Sequence, residues 1–325
     1  MMKRRLILFS AFIICAGLLL SGCSREETVS SYERDILGKI TEGIGEEGRL
    51  PGFSEDICVI DGAKHFDETR ILANYAGLFN ETDHKVLYQK GATEKLYPAS
   101  MTKMMTALLV AEHCEDLTEM VTVTEEALQN LPENSSIAGL QAGERYTVSD
   151  LLYALLVPSG NDAANVLAIH ISGSVEAFVA LMNERAKELG MLGTHFVNPN
   201  GLHDKNHYTT VYDLYLLMRA FVQYPKLCDA ASSKEASGAA LQPDGSYALR
   251  TWRSTNSFLL GYVEMSEDLS LRAAKTGYTQ QAGRCMAVYV NDSEGKNYFA
   301  VIGSAASYDV LYQEVNNLLS IISEQ

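Results

Sequence analysis

Hydrophobic and polar positions along this 325-residue chain fall into blocks whose period switches between about two and about three and a half. Residues 71–79 (ILANYAGLF) and 85–89 (KVLYQ) are strand-like runs around the polar stretch Asn80-Glu81-Thr82-Asp83-His84, a pattern that predicts a hairpin. A helix follows from about Ser100 to His113. Thr147 and Asp150, three apart before the apolar residues 151–157, form a capping-box-like start to another, which Pro158 ends. A further helix is expected after Asn161, and residues 175–189 and 212–221 also carry apolar side chains at helical spacing. Residues 286–290 and 298–302 are β-rich and flank the turn-forming Asn291-Asp292-Ser293-Glu294-Gly295. Residues 310–322 close the chain as an amphipathic helix. This order predicts an α+β fold, with an antiparallel sheet flanked by helices and a helical subdomain. No internal repeat is visible.

The N-terminus breaks the pattern. Met1-Met2-Lys3-Arg4-Arg5 leads into an apolar run over residues 6–20 and then Ser21-Gly22-Cys23. A basic start, a short apolar core and small residues before a cut describe a secretory leader, and the run is shorter than the roughly 20 residues a membrane-spanning helix needs. The cysteine after Leu20-Ser21-Gly22 resembles a bacterial lipobox. Residues 1–22 are therefore expected to be a lipoprotein signal peptide, and Cys23 to carry the lipid. Residues 23–55, rich in Glu, Gly, Ser and Arg, read as a tether with a short helix around residues 32–44, and residues 56–325 as the folded domain. The expected location is extracytoplasmic, lipid-anchored to the bacterial cell membrane.

Charge and cysteines narrow the partners. The formal net charge is −15, and it deepens when Lys3, Arg4 and Arg5 leave with the leader. That argues against nucleic acid and against an electrostatic grip on anionic lipid. Cys58, Cys114, Cys228 and Cys285 remain, which admit three pairings as well as free thiols. There is no Cys-x-x-Cys. His195, His203, Asp204 and His207 are ligand-type residues, but they do not form His-Glu-x-x-His and lie in a stretch dense in Asn, Pro and Gly, so they are expected to order a loop. No metal and no cofactor are expected.

Three clusters carry the candidate chemistry. Ser100 and Lys103 stand three residues apart at a helix start, where i and i+3 share a face, so the amine can reach the hydroxyl. Apolar neighbours Met104, Met105, Leu108 and Leu109 can desolvate Lys103 and hold it neutral, as a base requires. Ser159-Gly160-Asn161 follows the helix that Pro158 ends, on a short loop. Lys275-Thr276-Gly277 leads into Tyr278 on a strand. There the backbone can pair with an extended peptide, Lys275 and Thr276 can hold a carboxylate, and Gly277 admits close approach. Each tripeptide is common alone; their order, all at element boundaries of one chain, is not.

Ser-x-x-Lys, Ser-Asp-Asn and Lys-Thr-Gly are the signature of penicillin-interacting serine enzymes, with Gly160 here in the place of Asp. The longer runs match more closely: Tyr97-Pro98-Ala99-Ser100-Met101-Thr102-Lys103, Ser159-Gly160-Asn161-Asp162-Ala163, the stretch Thr194 to His203, and Lys275-Thr276-Gly277-Tyr278-Thr279-Gln280-Gln281-Ala282-Gly283. The chain thus resembles the serine D-alanyl-D-alanine carboxypeptidases, the low-molecular-mass penicillin-binding proteins, from about Ile71 to the last helix. The resemblance implies a penicillin-binding transpeptidase or β-lactamase-like fold, a peptidoglycan stem peptide as substrate and β-lactam antibiotics as covalent inhibitors. It makes Ser100 the nucleophile and Lys103 its base. Ser159 and Asn161 become a proton relay and substrate-amide contact, Lys275 and Thr276 the carboxylate clamp, and the N–H groups of Ser100 and Tyr278 the oxyanion hole. Two departures stand out: Ala273 where the family usually has Gly, and Asp83-His84 where the first hairpin usually turns through Thr-Gly. The family's frequent second β domain and C-terminal membrane helix have no counterpart in the roughly 50 residues after Lys275; Cys23 would serve as anchor instead.

Rival readings differ in what they need. A class A β-lactamase activates its deacylating water with a carboxylate, but Glu176, Glu184, Glu188 and Glu235 are not followed by Asn four residues on. That favours slow release of a bound β-lactam. A D,D-endopeptidase would use the same residues on a different groove. A non-catalytic penicillin-sensing or wall-binding module would be acylated at Ser100 without turnover.

Overall fold

The structure, a computed structural model, describes residues 56–61 and 68–324. The leader, Cys23 and the tether with its short helix lie outside the described residues. The first hairpin is β1 (Tyr75–Asn80) and β2 (Lys85–Lys90). β1 starts four residues later than the apolar run suggests, because Ile71 and Ala73 are buried against the C-terminal helix as irregular chain rather than as strand. His84 turns the hairpin at φ 52°, a left-handed value that glycine takes without strain.

β1 pairs with β9 (Asn297–Ala305), β9 with β8 (Gly283–Asp292), and β8 with β7 (Leu269–Thr279), all antiparallel, giving a five-stranded sheet in the order β2-β1-β9-β8-β7. Alternation along the strands splits the core in two. Phe79, Cys285, Ala287, Phe299 and Val301 face one side; Leu78, Met286, Val288, Val290, Ala300 and Ile302 face the other. The second side is covered by the C-terminal helix (Tyr308–Leu319), through Leu311, Tyr312, Val315 and Leu318. Ala273 sits at a register shift between β7 and β8, so the departure from Gly falls where the ladder is already irregular.

On the first side lie the helices α1 (Lys103–His113), α2 (Val148–Leu156), α3 (Asn161–Ser172), α4 (Val175–Glu188), α5 (Val211–Phe221) and α6 (Pro225–Ala231); the C-terminal helix is α7. The Thr147 hydroxyl accepts from Asp150 N at 3.0 Å, the cap the sequence pattern predicts. A second sheet, in the order β3-β4-β5-β6, borders these helices: β3 (Met120–Thr122), β4 (Arg145–Thr147), β5 (Glu235–Leu241) and β6 (Tyr247–Arg253). The sequence reading did not anticipate it. Two of its strands are three residues long, and β5 reads Glu-Ala-Ser-Gly-Ala-Ala-Leu, with none of the β-branched or aromatic residues that mark strands. All four domain cysteines are free thiols.

Candidate active site

Ser100 lies in a 3-10 turn, Ala99–Thr102, that runs straight into α1. Pro98 fixes the entry, and Ala99 takes φ 47°, a strained value for a residue with a Cβ. Gly201 makes room for this: a Cβ there would stand 1.9 Å from the Ala99 carbonyl oxygen, and its own φ is 87°. The Thr102 hydroxyl ties the turn by donating to Ala99 O at 2.8 Å and lies 2.8 Å from His207 Nε2. His207 Nδ1 accepts from Val197 N at 3.1 Å, so Nε2 carries the proton and donates to Thr102. Burial pushes this imidazole down to about 4. His195 bonds Asn206 O at 2.6 Å. These histidines order the loop, as the sequence suggested.

Lys103 is fully buried, and its Nζ has three partners: Ser100 Oγ at 3.0 Å, Asn161 Oδ1 at 2.7 Å and Asn200 O at 2.6 Å. Two of these are carbonyl oxygens, which only accept; the third is a hydroxyl, which can donate. An ammonium would donate to all three; a neutral amine donates to the two carbonyl oxygens and offers its lone pair to the Ser100 hydroxyl, the arrangement a base requires. Burial and the neighbouring Lys275 charge hold Lys103 well below the usual lysine range, against an opposing pull from Asp162.

Ser159 and Asn161 come from the break between α2 and α3. Ser159 has φ 64°, and its Oγ accepts from Lys275 Nζ at 2.9 Å. Gly160 has no room for the Asp of the common signature: its Cβ would lie 2.7 Å from Ala154 O and 2.8 Å from Asp162 Oδ1. Asp162, for which the sequence suggested no role, is buried and accepts four backbone N–H bonds, from Ala138, Gly139, Leu140 and Ala163, at 2.8 to 3.0 Å. It thereby holds the loop of residues 132–140 over the cleft, helped by Asn161 N donating to Ser136 O at 2.8 Å and Trp252 Nε1 donating to Ala138 O at 2.9 Å.

β7 is the edge strand of the main sheet, and its open edge forms the opposite wall. Gly277 packs on the Ser100 turn, where a Cβ would fall 3.1 Å from Ser100 N and 3.0 Å from Pro98 O. Lys275, 2% exposed, also donates to Thr276 O at 2.9 Å, and burial lowers it to about 7. The Thr276 hydroxyl lies 2.6 Å from that of Thr255. The cleft between these walls holds about 620 Å³ and is lined by Ser100, Ser159, Asn161, Thr276, Gly277 and Tyr278 among others. Lys103 and Lys275 lie beneath its floor. Of the arginines, Arg284 lines the cleft, its guanidinium 4.0 Å above the Tyr278 ring. Arg250 is bound to Glu144 and Arg253 to Tyr262. Every predicted domain residue of the site is thus within one constellation: a hydroxyl against a buried amine, two polar walls and an open strand edge. That set can attack a carbonyl and hold a carboxylate next to it.

Known proteins are similar to this chain in sequence and in shape. The chain is 32% identical over 237 residues to the D-alanyl-D-alanine carboxypeptidase DacF of Bacillus subtilis, covering 72% of this chain and 58% of that protein. It is 30% identical over 238 residues to a D-alanyl-D-alanine endopeptidase of Escherichia coli, covering 73% of each. Penicillin binding protein 6B of Escherichia coli superposes with a TM-score of 0.68 at 29% identity, over 81% of this chain and 80% of that one. A DD-transpeptidase of Streptomyces superposes with a TM-score of 0.73 at 26% identity, over 78% of this chain and 98% of that one. Against the first curated relatives the chain spans 58%, 59% and 61% of their length. The family pattern Peptidase_S11, D-alanyl-D-alanine carboxypeptidase, matches residues 63–305, and the chain belongs to that family.

Proposed function

We propose that the protein is a serine D,D-carboxypeptidase that removes the terminal D-alanine from peptidoglycan stem pentapeptides, working outside the membrane on a lipid anchor at Cys23. The observation that carries this reading is the buried Lys103 amine 3.0 Å from Ser100 Oγ, with its other two partners fixed carbonyl oxygens. In the reaction, Lys103 takes the Ser100 proton as Oγ attacks the carbonyl of the penultimate D-alanine. The developing oxyanion meets the N–H groups of Ser100 and Tyr278, two donors that can each be worth on the order of 3 kcal/mol. The stem peptide lies along the open edge of β7. Its terminal carboxylate faces Lys275, Thr276 and Thr255, with Arg284 at the rim. Ser159, held by Lys275 at the cleft, relays to the departing amine the proton that Lys103 took, so Lys103 is neutral again. Lys103 then takes a proton from the water that attacks the Ser100 ester and returns it to Ser100 Oγ as the acid leaves.

A β-lactam enters the same way, since its strained amide presents the carbonyl to Ser100 and its carboxylate to Lys275. Labelled penicillin should attach to Ser100 alone; a label on another residue, or none, defeats the mechanism. Release of D-alanine from a stem pentapeptide supports the carboxypeptidase. Cleavage confined to a cross-linked dimer would instead mark an endopeptidase, and acylation without any turnover a sensor. Metabolic labelling with a clickable fatty acid, lost in Cys23→Ser, tests the anchor.

A further inference from the structure

Away from the cleft, three elements bring together residues that no sequence spacing links. Cys114 caps the C-terminus of α1, His170 lies in the last turn of α3, and Glu119 directly precedes β3. One ligand atom of each, Sγ, an imidazole nitrogen and a carboxylate oxygen, lies within 4.8 Å of the others. We infer that Cys114, Glu119 and His170 form a binding site for a borderline-soft divalent cation, Zn2+ first, completed by water in the fourth position.

The donor set selects the ion. A thiolate with an imidazole suits Zn2+ and disfavours Mg2+ or Ca2+, which take oxygen ligands. The geometry is close to what a tetrahedral ion needs: bonds of roughly 2.0–2.3 Å place ligand atoms roughly 3.3–3.8 Å apart. His170 Nε2 and Glu119 Oε2 are already 3.6 Å apart. The Glu119 side chain is 53% exposed, so rotation can close the remaining gap and solvent can deliver the ion. The backbone around it is fixed. Glu119 N donates to Asp116 O at 3.0 Å, its carbonyl accepts from Val148 N at 3.0 Å, and Asp116 Oδ1 takes Thr118 N at 2.9 Å. Two ligands ride on helix ends and the third on a pinned turn, so little ordering remains to be done on binding. The Cys114 thiol points its proton at Asp116 O, 3.4 Å away. Binding replaces that S–H bond with S–Zn and releases the proton to solvent, with no change in oxidation state.

The location gives the ion a structural job. Lys103 is the first residue of α1 and Asn161 the first of α3, so the cation would join the far ends of the two helices that carry them. It would stand roughly 16 Å from Lys103 along α1, too far to touch a substrate.

The test uses the full-length chain in detergent, reduced and stripped of metal with a chelator, then titrated with Co2+ in place of Zn2+. A thiolate-to-cobalt charge-transfer band should saturate at one equivalent and vanish when Zn2+ is added. Cys114→Ser and His170→Gln should lose the band, whereas Cys228→Ser, which removes a partly exposed thiol elsewhere, should keep it. Glu119→Gln alters only a surface side chain and should weaken Co2+ binding with the chelated Tm unchanged. Zn2+ should raise the Tm of the wild type and of Cys228→Ser but not of Cys114→Ser. No band at equimolar Co2+, a band that survives Cys114→Ser, or an equal Zn2+ effect on both proteins overturns the site. Penicillin acylation of Ser100 should persist in chelator, so the metal site and the catalytic reading stand or fall separately.

Discussion

At the scale of single residues, Lys103 and Lys275 oppose each other. Both are buried, and after burial itself the charge of Lys275 is the next force that lowers the Lys103 amine from its ordinary value. The tasks proposed for them need opposite protonation: as base, Lys103 must lack its proton to take one from Ser100, and as clamp, Lys275 must keep its proton to attract a carboxylate. Acylation should therefore rise as pH passes upward through the Lys103 value and fall as pH passes upward through the Lys275 value, about 7 in the free protein. Lys275→Arg, which stays charged, should erase the alkaline limb. Lys275→Gln removes the repulsion, so Lys103 holds its proton more tightly and the acid limb moves to higher pH. Asp162→Asn does the reverse, because the Asp162 charge favours the Lys103 ammonium. Penicillin acylation rates across pH read all three; shifts of the same sign in Lys275→Gln and Asp162→Asn would refute the coupling. Lys103→Arg cannot act as base and should slow acylation by about 10²–10⁴-fold. The side chains that line the candidate site were readable because their chemistry shows in residue type and spacing. Asn200 was not: it acts through a backbone carbonyl that any residue would supply.

At the scale of elements, the site depends on how closely three pieces of backbone approach. Gly201 lies on the Ala99 carbonyl, Gly277 on the Ser100 amide and Gly160 between Ala154 O and Asp162. The sequence signalled Gly277 through its motif, but the reason for Gly160 needed the structure, since the obstacle is a carboxylate two residues away and a carbonyl six residues back. Gly160→Asp, which recreates the more familiar tripeptide, should therefore harm this protein. It forces a Cβ to within 2.8 Å of Asp162 Oδ1 and sets two carboxylates together. The expected result is a lower Tm and slower acylation, and an unchanged Tm would show that the loop yields. Gly277→Ala meets contacts of 3.0 to 3.1 Å, which a small shift of β7 relieves. Its Tm should hold while acylation falls, because the shift widens the oxyanion site. The main sheet was legible from its apolar, β-branched and aromatic runs, whereas the second sheet was not: β3 and β4 are three residues long, β5 is rich in Ala, Gly and Ser, and β6, although it carries Tyr, Thr and Trp, becomes a strand by pairing with β5.

Over the whole molecule, α1 to α6 cover one face of the main sheet and α7 the other, the supporting side, where the chain just before β1 meets the last helix. Glu314 of α7 is buried and accepts from Leu72 N at 2.5 Å and Ala73 N at 3.3 Å, clasping the chain just before β1. Arg70 adds an exposed pair with Glu324, of a kind that contributes little on a solvated surface. The buried carboxylate is the stronger joint, because without it two inward-facing N–H groups lose their acceptor at about 1–3 kcal/mol each. Glu314→Ala should lower unfolding stability by about 2–6 kcal/mol in denaturant titration. Glu314→Gln keeps a carbonyl oxygen in place and should recover most of the loss. Glu314 does not itself line the cleft, which α7 borders through Tyr308, Leu311 and Tyr312 in its first turns. Penicillin acylation of Ser100, measured well below the transition, should therefore match the wild type in both variants. A Glu314→Ala protein as stable as the wild type would show that the clasp carries no load. One that is stable but slow to acylate would show that the supporting side is coupled to the site after all.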